Sequence, residues 1–455
     1  MEEKENQVSE NGFRKEIGLF GGISVIGGIV IGSGIFYLGS YVLQYVGMSE
    51  GLALLCWIIG GFLSLLGGLC YAELGAAFPK AGGNIYYLSE AFHPLIGSLD
   101  GYSLFLISDP ASSAAISIAL ITALFGNTMS DMQIKIASII LIVALSIYNC
   151  FGVKLSNILQ NISMAAKLIP LIIIIVLGLF MGNVQPDLSL AVKEATGGNT
   201  IGMIALGIMA SLWAYEGWTN INLVSEEMKN PQKNLPRAII ISLTGITLLY
   251  TLFNFVIYRI LPLDVITKEL ADGNLYLGTL ATKNLLGNLG SILVTLCMVF
   301  AMFGSLNGCL WTPPRTYYAL AQEKHWPKAF GKLNPKTGVP VFGFVIETIM
   351  AIIFVCFNTL QDLTILVAFT SLIFNSLTVL AVPVFRKKFP DVHRPYRVWT
   401  PIVYIYLAAE IILIAYTIAT DMRNSFISLG ALVIGVIIYY FFEWKLKKEK
   451  TKDVS

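Results

Sequence analysis

The chain has 455 residues, 56% of them hydrophobic and 13% charged, with a formal net charge of +2. At a mean hydropathy of +0.73 it lies outside the range of soluble domains and implies a polytopic, all-α membrane protein, with the lipid bilayer and no nucleic acid as its partner. The six cysteines fall in or beside apolar runs with no CxxC pair, which excludes a disulfide framework or a metal site, and no cofactor is expected.

The N-terminal tail, residues 1–16, is polar, and the apolar run behind it lacks a small-residue cleavage site, so no cleaved signal peptide is expected. Runs of about 20 apolar residues, enough to cross a bilayer, then recur 12 times. The first, Ile17 to Val46, is broken at Gly32-Ser33-Gly34. These are poor helix formers, and an opened helix survives in lipid only when buried in protein or lining a cavity. Close packing is the competing reading, because Gly28 and Gly32 keep a small-xxx-small spacing.

The second run is Gly51 to Phe78, followed by the turn Pro79-Lys80-Ala81-Gly82-Gly83 and a short amphipathic segment. Ile96 to Phe125, containing Asp109-Pro110, is the third; Met132 to Asn149 and Gly152 to Met181 are the fourth and fifth. A polar connection, 182–199, closes a first unit spanning 17–181. A second unit, 200–385, holds the sixth run, Thr200 to Met228, interrupted at Trp213 to Trp218. It continues with Pro236 to Leu261, a run ending at Leu320, Val341 to Phe357, and Leu363 to Phe385. Two further runs, Pro401 to Thr420 and Ser425 to Phe442, occupy 386–442, and a basic tail, 443–455, ends the chain.

Of the 30 lysines and arginines, 22 fall in the tails and the connections on their side, whereas the opposite connections hold Lys193, Lys268, Lys283 and Arg423. The positive-inside rule therefore puts both termini in the cytoplasm, with the chain in the cell membrane. The interrupted runs, first and sixth, are five apart, the pattern of an inverted-repeat secondary transporter with a midplane site.

Several motifs in order carry a resemblance to a known family. They are Ile31-Gly32-Ser33-Gly34-Ile35-Phe36, Pro79-Lys80-Ala81-Gly82-Gly83 with Tyr86, and Ala214-Tyr215-Glu216-Gly217-Trp218. Glu226-Glu227-Met228-Lys229-Asn230-Pro231, Asn234-Leu235-Pro236-Arg237-Ala238 and Phe303-Gly304-Ser305-Leu306-Asn307-Gly308 follow. Over nearly its whole length the chain resembles the amino acid/polyamine/organocation transporters, within them the L-amino acid transporter branch. The resemblance implies the leucine-transporter fold, a 5+5 inverted repeat plus two helices, and sodium-independent exchange of neutral L-amino acids such as alanine, serine, threonine or cysteine by alternating access. A proton-coupled, or a cationic amino acid or polyamine, transporter of the same superfamily is the alternative, with Glu216 and Asp109 as its charged groups.

A free amino acid is a zwitterion, and opened helices suit it. The amides of Gly32, Ser33 and Gly34 start a half-helix at its positive end and can bind an α-carboxylate. The carbonyls of Val30 and Ile31, and of Leu212, Trp213 and Ala214, end half-helices and can hold the α-ammonium; the break continues through Tyr215, Glu216 and Gly217. Trp213 stands where relatives place a phenylalanine that closes over substrate, so a small side chain fits; packing or interfacial anchoring is the other reading. Glu216, often glycine in animal relatives, is a gate, a proton-linked group or a partner of a helix-end amide.

Lys167 lies about 14 residues, roughly 21 Å of helix, from either end of its run, too far to reach water easily. A central lysine costs about 2.5 to 3.5 kcal/mol to insert and marks function. In sodium-coupled relatives of the fold a cation bridges the first and eighth helices. Lys167 looks like a built-in replacement, reaching carbonyls near Gly27 and Gly28 and also Ser305; an ion pair with Asp109 is the other reading. Asp109 departs from the animal pattern, which has a basic residue before this proline. Tyr250 is either a partner of Lys167 or a core tyrosine.

His93, His325 and His393 all lie in or beside connections and no HExxH occurs, so an intramembrane hydrolase is unsupported. Animal relatives join an accessory glycoprotein through a cysteine in the loop matching Gly126 to Asp131. None stands here, and a stand-alone bacterial carrier without a heavy-chain subunit is expected.

Overall fold

A computed structural model describes residues 12–125, 128–194, 200–357, 360–420 and 422–453. The first eleven residues of the tail, Gly126 and Asn127 of the loop just named, and the end of the 182–199 connection lie outside them. Among the described residues the chain is helical throughout, with one isolated bridge between Ile17 and Met228.

Helices α1 (Leu19–Val30) and α2 (Gly34–Tyr45) form the first span and meet at 51°. Next come α3 (Glu50–Ala77), the short α4 (Asn84–Ala91) and α5 (Pro94–Phe125). A π-turn at Leu104–Ser108 in α5 precedes Asp109-Pro110, where proline removes a backbone donor and crowds the preceding turn. Helices α6 (Asp131–Cys150) and α7 (Val153–Met181) follow. The sixth span is α8 (Thr200–Tyr215) and the single turn α9 (Asn220–Leu223), and α10 (Pro231–Ile260) comes after it.

Two loop helices, α11 (Leu263–Ala271) and α12 (Leu277–Leu286), lead into α13 (Asn288–Trp311), which continues as α14 (Pro313–Gln322). The chain closes with α15 (Val341–Phe357), α16 (Leu360–Lys388), α17 (Thr400–Thr420) and α18 (Met422–Asp453). Among the described residues, seven helical spans are long and apolar enough to cross a membrane, or eight with the bent α1–α2 pair. Length and hydropathy thus identify seven or eight of the 12 expected crossings, in an all-α polytopic membrane protein.

Two boundaries differ from the sequence expectation. Helix α10 starts at Pro231, not Pro236, because a proline at the first helical position gives up no hydrogen bond. The basic tail continues α18 as far as Asp453.

The outer surface is apolar. Ile136, Ile140 and Ile147 on α6, and Ile162, Ile169 and Phe180 on α7, are exposed, as lipid-facing residues are and water-facing ones are not. Polar groups turn inward instead: Ser163 and Lys167 of α7, Ser305 and Asn307 of α13 are all buried. Helix α1 sits at the centre, packed on α7, α10 and α13, while α8 packs on α2 and α3. Both chain breaks therefore lie inside the bundle.

Candidate functional site

The last turn of a helix leaves its carbonyls without intrahelical partners, and α1 ends this way in the apolar interior. Ile31 N–H bonds Gly27 O at 3.1 Å. The next four carbonyls are met by three side chains from three other helices. Lys167 Nζ lies 2.8 Å from Gly28 O and 2.6 Å from Ile31 O. Ser305 Oγ stands 3.0 Å from Gly28 O and 2.8 Å from Ile29 O. Tyr250 Oη is 2.8 Å from Val30 O and 3.2 Å from Ala214 O at the other break.

Lys167 and Ser305 thus converge on one carbonyl, while Tyr250 joins the two breaks and does not touch Lys167. Asp109 is not paired with Lys167 either; its Oδ2 faces the Tyr317 hydroxyl at 3.2 Å. A buried ammonium is stable only when its desolvation is offset by charge-assisted hydrogen bonds. Lys167 finds two carbonyls at the negative end of α1.

The glycines serve packing and opening at different positions. A Cβ on Gly28 would run into the Gln160 amide and one on Gly27 into the Met164 methyl, so both glycines leave room for these side chains of α7 against α1. Gly32 belongs to the opening, its N–H turning back to Val30 O at 2.8 Å. The Ser33 and Gly34 amides at the start of α2 are left facing the gap, and both residues are partly exposed in an otherwise buried stretch. Gly34 abuts Ala214, whose Cβ would be 3.4 Å from a Cβ added there.

At the second break Gly217 adopts φ +109°, and a Cβ there would come within 2.5 Å of Ile29, so only glycine lets the two breaks touch. Trp213 O accepts the Glu216 N–H at 3.2 Å. The Trp213 side chain is partly exposed and lies beside Tyr37. Tyr215 points away, its hydroxyl donating to Trp57 O at 2.9 Å. Leu212 and Glu216 keep partial exposure beside Trp213.

The geometry is a pair of facing helix breaks with free amides on one and helix-end carbonyls on the other. Comparison with known proteins decides the family. The model of the amino acid permease family matches residues 17–443. The chain belongs to that family. This permease is 32% identical over 443 residues to the serine/threonine exchanger SteT of Bacillus subtilis, covering 95% of this chain and 97% of that one. It is 31% identical to the large neutral amino acids transporter small subunit 2 of Homo sapiens, over 97% and 83% of the two chains. With the b(0,+)-type amino acid transporter 1 of Mus musculus it shares 30%, over 99% and 93%. The permease is a membrane amino acid transporter and not an enzyme.

Several buried polar residues of the permease escape a sequence reading centred on the breaks. Arg315 Nε pairs with Glu227 Oε1 at 2.8 Å, both fully buried. The Glu227 carbonyl in turn accepts the N–H groups of Glu16 and Ile17, each at 3.0 Å. This pair ties α14, the segment after α9 and the chain start together. An amide chain runs from Asn149 Nδ2 to Asn307 Oδ1 at 3.2 Å and from Asn307 Nδ2 to Gln160 Oε1 at 2.6 Å. The criterion that singled out Lys167, an ionisable residue inside an apolar run, also finds Arg315 and Glu347.

Proposed function

We propose that the permease is a sodium-independent exchanger of small to medium neutral L-amino acids such as alanine, serine, threonine or cysteine, working by alternating access. The supporting observation is Lys167 at the end of α1. Its ammonium, with the Ser305 hydroxyl, takes up carbonyls of Gly28, Ile29 and Ile31, the oxygens a bridging metal cation would need. The substrate carboxylate binds the Ser33 and Gly34 amides. Its ammonium binds the helix-end carbonyls of the two breaks, that of Leu212 first, since Val30, Ile31, Trp213 and Ala214 already accept hydrogen bonds.

Trp213 closes over the side chain, and Glu216 limits the pocket beside it. The architecture is the leucine-transporter fold: 12 crossings, with 17–181 and 200–385 as inverted repeats and 386–442 adding two. Both termini face the cytoplasm, and the carrier acts in the cell membrane without a heavy-chain subunit.

Counterflow in proteoliposomes tests this. Vesicles loaded with L-serine take up labelled L-alanine equally in sodium and in choline medium, and do so only when loaded. Uptake that requires sodium, or that proceeds equally into empty vesicles, overturns the reading.

A further inference from the structure

Asp109 of α5 and Glu347 of α15 meet at Tyr317 of α14. The Tyr317 hydroxyl lies 3.2 Å from Asp109 Oδ2 and is hydrogen-bonded to Glu347 Oε2. Ser113, one turn beyond Asp109, puts its hydroxyl 3.5 Å from Glu347 Oε1. Tyr317 and Glu347 are buried and Asp109 is partly exposed. A phenol has one hydrogen to give. Donating it to one carboxyl, it meets the other closely only if that carboxyl brings a proton of its own.

No positive charge offers an alternative among the described partners. Arg315, two residues before Tyr317, is held by Glu227, and Lys135 of α6 donates to the Cys356 carbonyl. Cys150 of α6 faces Arg315, and the Tyr148 hydroxyl donates to Leu155 O. From α13 the nearby side chain is the Cys309 thiol, which carries no positive charge. From α16, residues 371–385 include no acidic or basic side chain. On α4, which packs on α14, Tyr87 faces Asn222 and Phe385, Tyr86 faces Phe78 and Phe385, and Glu90 pairs with Lys388. Lys328 lies in the turn packed on the start of α15.

A separate observation points the same way. Asp100, further back on α5, is 2% exposed and leaves its Oδ2 with no hydrogen-bond partner. Three buried or half-buried carboxyls, two on α5 and one on the adjacent α15, are costly to ionise together in a low dielectric.

We propose that Asp109, Tyr317 and Glu347 form a proton-binding site, holding one proton between the two carboxyls through the phenol. The proton comes from water through the partly exposed Asp109 and returns by the same route. Binding takes the pair from two negative charges to one and breaks no other bond. Protonated, the site clamps α5, α14 and α15 together; deprotonated, two carboxylates compete for one hydroxyl and the clamp loosens. The site is independent of the exchanger reading and deepens what Asp109 does.

Infrared titration of the purified full-length protein tests the site without transport. The wild type gives a neutral-carboxyl band at neutral pH that D109N or E347Q removes, and that Y317F shifts, because the phenol no longer orders the pair. Counterflow of the same proteins over a range of pH gives a flatter profile for E347Q than for the wild type. Spectra of both amide variants that superimpose on the wild type overturn the proposal even if transport is normal. The amides are isosteres of the neutral acid, so at least one variant folds as the wild type; collapse of both, with Y317F intact, means that both carboxyls are ionised and equally overturns it.

Discussion

The hydroxyl of Tyr250 stands 2.8 Å from the carbonyl oxygen of Val30 and 3.2 Å from that of Ala214, so one side chain of α10 closes the open ends of both broken spans. Each carbonyl lies in the last turn of a half-helix, where the regular ladder of backbone donors runs out. The breaks are held in register by one hydroxyl on α10.

Removing that hydroxyl tests the register. Tyr250→Phe keeps the ring on Trp57 and Tyr215 and deletes the bond, at about 1 kcal/mol for a buried neutral pair. Thermal unfolding in detergent falls by a few degrees, and counterflow slows several-fold. Unchanged exchange with lowered stability would make Tyr250 a core residue only.

Lys167→Ala leaves Ile31 O without its donor and Gly28 O with Ser305 alone, a loss of about 1.5–3 kcal/mol per charge-assisted bond. Exchange is abolished or cut at least tenfold, and near-normal uptake by the variant in proteoliposomes would sink the role of the ammonium.

Glycine 34 predicts a steric block. Gly34→Val fills the gap between the Ser33 amide and Ala214, so binding of L-alanine and L-serine is lost while folding is kept. Isothermal titration that finds wild-type affinity would place the substrate elsewhere.

The buried pair of Arg315 and Glu227 predicts a stability effect away from the breaks. Arg315→Met alone strands a buried carboxylate and costs about 3–5 kcal/mol, whereas Arg315→Met with Glu227→Gln recovers most of it. Equal melting temperatures for single and double variants would count against the coupling.

Outside the membrane, the Ser189 amide N–H bonded to Asp187 Oδ1 at 3.0 Å, with Lys193 beside it at 3.2 Å, lowers the Asp187 carboxyl to about 2. A depressed carboxyl stabilises its fold above its ordinary range, and that contribution is lost as pH falls from about 4 towards 2. The segment over Gly47 and Gly51 therefore loosens in acid. Faster amide hydrogen exchange at Ser189 than the intrinsic pH dependence allows is the readout, and Asp187→Asn removes the effect.

Much of this protein was legible in its residues because lipid imposes a simple rule: apolar outside, every backbone group satisfied. Hydropathy alone delivers the polytopic all-α class, Gly32-Ser33-Gly34 marks the first break and Glu216-Gly217 the second, and a lysine halfway along an apolar run must find partners inside. Pairings across hundreds of residues have no such local signal. That Tyr250 serves two breaks and not Lys167, that Asp109 turns to Tyr317 and Glu347, and that Arg315 meets Glu227 depend on which faces of distant helices come together. Even Gly28 and Gly32, four residues apart and alike in sequence, divide between packing on Gln160 and opening the chain. Only the neighbours that α7 and α13 bring to them decide which is which.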